Sequence, residues 1–239
     1  QRQMCIRDRS SLINKLCGSQ RSIVSNIAGT TRDAIDTVVK FNGQEYVFID
    51  TAGIRRKSRI KEDLERYSII RAVSAVERAN IVILMIDATE GVTEQDAKIA
   101  GIAHERGKGV IIAVNKWDAV VKNDKTIYNH TKKIRDTLAY MPYAELIFIS
   151  AMTGQRITKL YELIDMVIQN HSMRIGTGVL NEIMAEAVAL KQPPSDKGRR
   201  LKLYYITQVA VKPPTFVIFV NDKELTHFSY TPVSYTHLR

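Results

Sequence analysis

The chain has 239 residues, which suits one large domain or one domain with a smaller appendage. Apolar residues make up 45% of it, so a normal core can form, and no apolar run approaches the ~18–20 residues of a membrane span. The net charge of +10 favours a polyanionic partner such as nucleic acid, and two cysteines without metal-ligand spacing suit a cytoplasmic protein without disulfides.

The first predicted element is a helix that begins near Ser10 and continues through Leu16. A polar segment, Gly29–Asp33, follows ahead of the apolar stretch Thr37–Phe41. A threonine hydroxyl in such a segment, here Thr31, can complete magnesium coordination and let the loop sense a terminal phosphate. The alternative is an ordinary turn of glycine and threonine.

Strands and helices alternate through the next part of the chain, which predicts an α/β fold with a doubly wound parallel sheet. The apolar runs predicted as strands buried on both faces are Tyr46–Ile49, Ile81–Ile86, Val110–Val114 and Leu146–Ile149. The predicted helices are Glu62–Ala79, Glu94–Arg106, Tyr128–Ala139 and Ile157–Asn170. Ligands of such sheets lie beyond the carboxyl ends of the strands, where Asp50, Asp87, Asn115 and Ser150 fall.

The run Asp50-Thr51-Ala52-Gly53 directly follows the first of these predicted strands. The Asp50 carboxylate can hold magnesium, usually through water. Gly53 lets its backbone N–H approach a terminal phosphate where a Cβ would obstruct it. The alternative is a turn that simply ends the strand.

The run Asn115-Lys116-Trp117-Asp118 is the more specific signal. The Asp118 carboxylate can accept two hydrogen bonds from the ring N–H and exocyclic amine of guanine, and adenine offers no matching pair of donors. The Lys116 stem can lie along the plane of the base, and Asn115 can tie adjacent loops together. Ser150-Ala151 would supply backbone N–H groups to the guanine carbonyl, so the pattern predicts a guanine-nucleotide site.

A phosphate-binding loop has the pattern G-x-x-x-x-G-K-[ST] ahead of a helix, because glycines admit phosphate to the backbone amides. The eight residues that end at Ser10 contain neither glycine, carry Arg9 at the lysine position and place Asp8 near the phosphate. The strand that should feed the loop is also missing. We therefore expect weak or no triphosphate binding from this chain.

The sequence changes character after His171, which predicts a second domain. Apolar residues from Val179 to Val188 recur at helical spacing until Pro193-Pro194, and Leu201–Val211 and Phe216–Val220 then alternate as two strands. The predicted domains are residues 1–172 and 173–239.

The second domain carries a basic segment, with six basic residues and one acid between Ala189 and Lys212. We expect RNA phosphates to contact Lys197, Arg199, Arg200 and Lys202, although a solvated loop is the alternative. Base-specific reading is not supported, because no G-x-x-G loop is present and Gly176-Thr177-Gly178 has the wrong spacing.

In this order, the motifs resemble those of translation-factor-class GTPases, most closely the bacterial ribosome-assembly GTPases of the Der (EngA) family. The segments that look like that family's second GTPase domain are Ser10–Gly18, Gly29–Asp36, Asp50–Arg56 and Asn115–Asp118. The following segment, through Leu201–Asn221, resembles the family's KH-like C-terminal domain, and the match covers roughly Ser10 to Tyr230.

The resemblance implies a P-loop GTPase-like sheet, here without its first strand and phosphate loop, followed by a truncated α+β KH-like domain. It implies that a monomer binds GTP or GDP with Mg²⁺, hydrolyses GTP, and binds the large ribosomal subunit and its RNA. Ile54 then occupies the place where many GTPases carry a water-positioning glutamine. Relatives can recruit K⁺ through a phosphate-loop asparagine, but that position is Ile6 here, which argues against potassium.

Together, the motifs and the resemblance assign three sets of site residues. Nucleotide binding is assigned to Ser10, Ser11, Asp50, Thr51, Ala52, Gly53, Ile54, Asn115, Lys116, Trp117, Asp118, Ser150 and Ala151. The metal is assigned to Ser10, Thr31 and Asp50, and catalysis to Thr31, Gly53 and Ile54.

Residues 1–9 and 231–239 do not continue the family pattern and look like foreign sequence, so we expect a truncated version of a longer protein. One rival hypothesis is a fragment that binds guanine nucleotide or RNA without hydrolysis. A second is another GTPase of the same class, such as a tRNA-modification GTPase, against which the KH-like segment argues.

Overall fold

The computed structural model describes residues 12, 15–16, 18, 23–27, 36–49, 72–190, 192–193, 195–196 and 199–225. The chain separates into two compact units, Gln1–Ile168 and Gln169–Arg239. The domain limits given by the sequence stay a prediction, because the compact units divide within a helix that continues to His171. No helix in the described ranges is long and apolar enough to cross a membrane.

The first unit contains three antiparallel strands, β1 (Ile23–Ile27), β2 (Asp36–Phe41) and β3 (Gln44–Phe48). Asn42 and Gly43 join β2 to β3 with φ values of 50° and 80°, the geometry for which two-residue hairpins select Asn-Gly. The prediction of a parallel strand buried on both faces at Tyr46–Ile49 is therefore wrong. The tight turn pairs β3 antiparallel with β2 and leaves Val47 51% exposed.

A parallel sheet follows, formed by β4 (Ile81–Asp87), β5 (Gly109–Asn115) and β6 (Glu145–Phe148) with β5 in the centre. All seven residues of β5 are buried. Alternate residues of this strand enter two different cores, with Ile112 and Val114 on one face and Ile111 and Ala113 on the other. This pattern confirms the predicted sheet buried on both sides.

Helices cover both faces of the parallel sheet. On one face lie α1 (Glu94–Glu105) and α2 (Thr126–Thr137), and on the other lies α3 (Ile157–His171). A capping box begins α1, because Thr93 Oγ1 accepts from Asp96 N at 3.2 Å while the Asp96 carboxylate accepts from Thr93 N. These helices confirm the predictions within two residues, and residues 72–78 form the described part of the predicted helix Glu62–Ala79.

The hairpin and α3 share one core. The rings of Phe41 and Tyr161 stack at 4.1 Å, and the Tyr46 hydroxyl donates to Asp165 Oδ1 at 2.8 Å. Burial and that hydrogen bond to Asp165 raise the pKa of Tyr46. Leu12 and Leu16 are helical and buried in the same core, as predicted for the stretch after Ser10.

The second unit is α+β. Its elements are α4 (Thr177–Leu190), β7 (Ser195–Asp196), β8 (Arg199–Arg200), β9 (Leu203–Ala210) and β10 (Thr215–Val220). The antiparallel pair β9–β10 and the helix before it confirm the sequence prediction, whereas the short hairpin β7–β8 was not foreseen.

Two side-chain amides fix β9 to the helix side of this unit. Asn181 Oδ1 accepts from Ile206 N at 3.0 Å and its Nδ2 donates to Ile206 O at 3.2 Å. Gln208 is 5% exposed; its Oε1 accepts from Ile175 N at 2.7 Å, and its Nε2 donates to Met173 O at 3.1 Å. The buried polar groups of β9 are thereby paired, as burial requires.

Candidate functional site

The carboxyl ends of β4, β5 and β6 lie side by side at one edge of the parallel sheet. Asp87 at the end of β4 is in register with Asn115 at the end of β5, and Val114 is in register with Phe148 of β6. Asp87 and Asn115 therefore lie together as predicted, and Ser150 lies near them, because the N–H of the next residue, Ala151, donates to Asn115. Asp50, the fourth predicted member, lies outside the described residues.

Asn115 ties the three loops at this edge together. Its side chain is buried, and Oδ1 accepts from Ala151 N at 2.9 Å. Its backbone carbonyl accepts from Ala88 N at 2.9 Å, which connects the loop after β4. Asn115 therefore connects adjacent loops as predicted, and the connected loops form a frame at this edge.

Trp117 attaches this frame to the core. Its backbone N donates to Ile149 O at 3.1 Å, and its ring is 2% exposed, packed 4.4 Å from Phe148 and 5.3 Å from His130. The indole therefore lies in the core, and the assignment of Trp117 to nucleotide binding stays a prediction. Burying so large a ring is strongly favourable, which explains its inward direction.

Lys116 is held by Asp87, a strand-end residue to which the sequence motifs gave no role. The Lys116 ammonium pairs with Asp87 Oδ2, and Asp87 Oδ1 accepts from Thr89 N at 2.8 Å and Thr89 Oγ1 at 2.7 Å. Burial raises the pKa of Asp87, but the hydrogen bonds from Lys116 and Thr89 outweigh it and lower the pKa below its ordinary value. The carboxylate is thus ionised at neutral pH and fixes Lys116, whose φ of 60° is uncommon for a non-glycine residue.

Asp118 is the exposed member of this loop. No donor in the described ranges contacts its carboxylate, while the turn around it is closed by Ala119 N donating to Lys116 O at 3.0 Å. A carboxylate on a fixed turn can accept two parallel hydrogen bonds from a planar ligand without first breaking an internal ion pair.

The two backbone donors predicted for a base carbonyl are already engaged. Ser150 N donates to Gln155 O at 3.2 Å, and Ala151 N donates to the Asn115 side chain. Both residues are buried, and buried N–H groups must be paired within the fold, which the motif alone did not show. The next residue, Met152, is 73% exposed, and its N–H has no acceptor in the described part of the chain.

The predicted phosphate and metal residues lie outside the described part of the chain, so their roles stay predictions. They are Ser10, Ser11, Thr31, Asp50, Thr51, Ala52, Gly53 and Ile54. Within the described ranges, no group of His, Cys, Asp or Glu residues fits a metal ion.

The described basic residues near β8 are exposed, and two of them are paired. Arg199 Nη1 donates to Asp222 Oδ2 at 3.2 Å, and Arg200 donates to the Gln192 side-chain oxygen. Lys202 is exposed, and Lys197 lies outside the described residues. These cations remain candidates for an anionic ligand.

Two family models match the sequence along most of its length. One, described as a 50S ribosome-binding GTPase, matches residues 9–116. The other, described as the KH-domain-like C-terminal region of EngA bacterial GTPase enzymes, matches residues 174–236. Together with the parallel sheet and the polar loops at its carboxyl edge, they define the class: a P-loop GTPase fold followed by a KH-like unit.

Curated relatives give the family. The chain is 76% identical over 223 residues to the GTPase Der of Lachnospira eligens and 73% identical to that of Agathobacter rectalis. In both comparisons, the match covers 93% of this chain and 51% of the relative, so the chain spans about half the length of these proteins. The chain belongs to the GTPase Der (EngA) family.

A solved structure supports the fold. Era in complex with MgGDPNP and nucleotides 1506–1542 of 16S ribosomal RNA is 23% identical, with a TM-score of 0.50 and coverage of 97% of this chain and 83% of that one. At this identity, the similarity concerns the fold alone.

Proposed function

We propose that the chain is part of a GTP-binding and GTP-hydrolysing switch protein that acts in the cytoplasm during assembly of the large ribosomal subunit. The observation that carries the proposal is the exposed Asp118 on loops that Asn115 ties together. The names of the relatives, each a GTPase Der, support the same assignment.

Selection of the base rests on donors and acceptors. The Asp118 carboxylate would accept from the ring N–H and exocyclic amine of guanine. Adenine would leave this carboxylate unpaired in a desolvated contact, which costs several kcal/mol. We assign the guanine carbonyl to the Met152 N–H, because Ala151 N already donates to Asn115. The Lys116 stem, held by Asp87, would lie along the base.

The phosphate side of the site is proposed from the sequence. Ser10, Thr31 and Asp50 would hold Mg²⁺, and Gly53 would bring its N–H to the terminal phosphate. When bound, the metal would neutralise charge on the transferred phosphoryl group. Ile54 replaces the side chain that orients water in many GTPases, and K⁺ is not expected at Ile6.

The test compares nucleotides on two versions of the chain. Labelled GTP, GDP and ATP are titrated with Mg²⁺ against the chain itself and against a version in which residues 3–10 are restored to G-x-x-x-x-G-K-S. We expect weak or no binding in the first and guanine-selective binding with slow hydrolysis in the second, because the glycines and lysine hold the phosphates. ATP that competes as well as GTP in the restored version would refute the role of Asp118.

A matched substitution sharpens this test. Asp118→Asn replaces one acceptor oxygen with an NH₂ donor, so the restored version should lose GTP affinity by roughly 100-fold or more. It should gain affinity for xanthosine triphosphate, whose base has a carbonyl in place of the exocyclic amine of guanine. Asp124→Asn is the control, because Asp124 is exposed in the loop before α2. Equal losses from both substitutions would contradict the assignment.

A second candidate function is favoured by one observation. The stretch Gln3–Ser10 contains no glycine, so the chain would keep a base-reading face but hold phosphate poorly. It would then act as a binding module for guanine nucleotide or RNA without hydrolysis. Phosphate release above the rate in buffer, from the chain with residues 3–10 unchanged, would exclude this candidate.

A further inference from the structure

The β9–β10 sheet exposes aromatic and aliphatic side chains on one face. Tyr205 and Phe219 are directly opposite each other, 43% and 41% exposed. Their rings stack nearly parallel, with centroids 4.1 Å apart. Val217 continues the same face two residues from Phe219 and is 37% exposed. Ile206, the next residue along β9, is buried on the other side and bonded to α4 through Asn181.

Two register shifts enlarge this apolar surface. The pairing skips Tyr204 between Leu203 and Tyr205 and skips Val209 between Gln208 and Ala210. Such bulges re-aim side chains and increase the local twist. Tyr204 is accordingly 62% exposed beside the exposed Tyr205, and Ala210 is exposed beside Val209, which is 56% exposed. Alternation from the buried Ile206 and Gln208 would have buried Tyr204 and Ala210, so the shifts add an exposed side chain at both ends of β9.

Exposed cations lie at the same end of the sheet as the stacked rings. Asn221, next to the last residue of β10, donates from Nδ2 to Arg200 O at 3.0 Å and accepts at Oδ1 from Lys202 N at 2.8 Å. A backbone bond from Asn221 N to Lys202 O closes the arrangement at 3.1 Å. Arg200 and Lys202 are thereby held beside the strand ends that carry Tyr205 and Phe219.

We propose that this face binds single-stranded RNA, with bases stacked on the Tyr205–Phe219 pair and phosphates contacted by Arg200 and Lys202. The inference rests on the proposed RNA contact and gives it a site. Exposed aromatic rings beside basic residues suit unpaired nucleotides, because each base has a π-face and each nucleotide one phosphate. Charge favours RNA over a second protein surface, since six basic residues and one acid lie between Ala189 and Lys212.

The test uses the full 239-residue chain and a fluorescent oligouridine of twelve nucleotides, with an abasic ribose-phosphate strand of equal length for comparison. We expect the double variant Tyr205→Leu, Phe219→Leu to weaken oligouridine binding about 10-fold, because one or two bases lose their stacking surface. The charge of the site is unchanged, so the salt dependence of binding should keep its slope. The double variant Arg200→Gln, Lys202→Gln should instead make the plot of log affinity against log salt less steep. Its slope should fall by about one for each cation removed, because each cation contacts one phosphate.

Two further variants separate stacking from folding. Tyr128→Leu removes a tyrosine of α2 that is even more exposed, at 66%, and should leave RNA binding unchanged. Phe219→Trp keeps an aromatic ring, should retain affinity, and adds an exposed indole whose fluorescence falls when a base stacks on it. The chain's other tryptophan, Trp117, is buried and gives a constant background.

The outcomes distinguish this inference from the proposed function. Oligouridine binding that is insensitive to the double leucine variant but sensitive to Arg199→Gln with Arg200→Gln would overturn the stacking face and leave the RNA contact. Equal binding of the abasic strand would overturn it as well. An absence of oligouridine binding would overturn both the stacking face and the proposed RNA contact. Concentration-dependent dimerisation abolished by the leucine variants would assign the face to a second copy of the chain.

Discussion

The loop edge of the parallel sheet and the open face of β9–β10 present side chains to solvent in different ways. At the loop edge, Asn115 and Trp117 are buried, and the exposed Asp118 stands on a frame of side chain–backbone bonds. In the second unit, the polar bonds of Asn181 and Gln208 lie behind the sheet. Its exposed rings are held by strand pairing and by each other. The first design suits a ligand chosen by hydrogen-bond geometry, and the second suits one chosen by stacking.

Trp117→Ala should have the largest effect on stability. Removing a fully buried ring from beneath the loop edge leaves a cavity beside Phe148, so the free energy of unfolding should fall by about 3–5 kcal/mol. Urea unfolding followed by far-ultraviolet circular dichroism measures it. Tyr128→Ala, an exposed aromatic on α2, is the control and should change stability by less than ~0.5 kcal/mol. A loss below ~1 kcal/mol for Trp117→Ala would mean that the ring does not support the frame.

Asn115→Ala should come next. It leaves the buried Ala151 N–H without an acceptor, which costs about 1–3 kcal/mol of unfolding free energy. Because the loops lose their connection, guanine-nucleotide affinity of the version with a restored phosphate loop should also fall. Asn129→Ala, exposed on α2, is the matched control. Unchanged stability with lost nucleotide binding would instead indicate that Asn115 contacts the ligand directly.

Lys116→Met should act in a pH-dependent manner. The pKa of Asp87 is lowered in the folded chain, so its ionised form contributes stability that is present above the unfolded pKa and is lost as pH falls through the folded pKa. Without the lysine, burial raises the pKa of Asp87 and only the hydrogen bonds from Thr89 lower it. The variant should therefore be less stable at neutral pH, and the difference from the parent chain should shrink in acid. Urea midpoints between pH 7 and pH 3 measure it, and a constant difference would contradict the ion pair's role.

The double variant Tyr205→Leu, Phe219→Leu should have the smallest effect on folding. Both rings are more than 40% exposed, and a cross-strand aromatic pair contributes about 0.2–1 kcal/mol. Thermal unfolding should therefore change little while RNA affinity falls. A loss as large as that from Trp117→Ala would show that the face is part of a core and not an open surface.

The central strands were predictable because their chemistry is local. The continuous apolar run of β5 fits burial on both faces, α2 and α3 have apolar residues at helical spacing, and α1 begins with a capping box. The β2–β3 hairpin was misassigned because a short apolar run near Tyr46 does not reveal its partner. The Asn42-Gly43 turn was the available signal.

Within the site, the sequence predicted which residues lie at the strand ends but did not predict most of their contacts. The roles of Asn115 and Asp118 follow from residue type at a strand end, and Asn115 does tie the loops. The inward direction of Trp117 and the engagement of the Ser150 and Ala151 N–H groups depend on packing between loops that are distant in sequence. Asp87 was visible as a strand end, and Thr89 two residues later is the local signal for the turn that orients it.

The Asn181 carboxamide also protects the rim of a small sheet. It occupies the N–H and C=O of Ile206 as a neighbouring strand would, and the described part of the second unit pairs β9 with β10 alone. An unpaired edge strand exposes N–H and C=O groups to which a strand of another chain can bind, which leads to aggregation. One amide on a helix thus blocks the addition of another strand at this edge, and its loss would leave the Ile206 N–H and C=O open to a second chain.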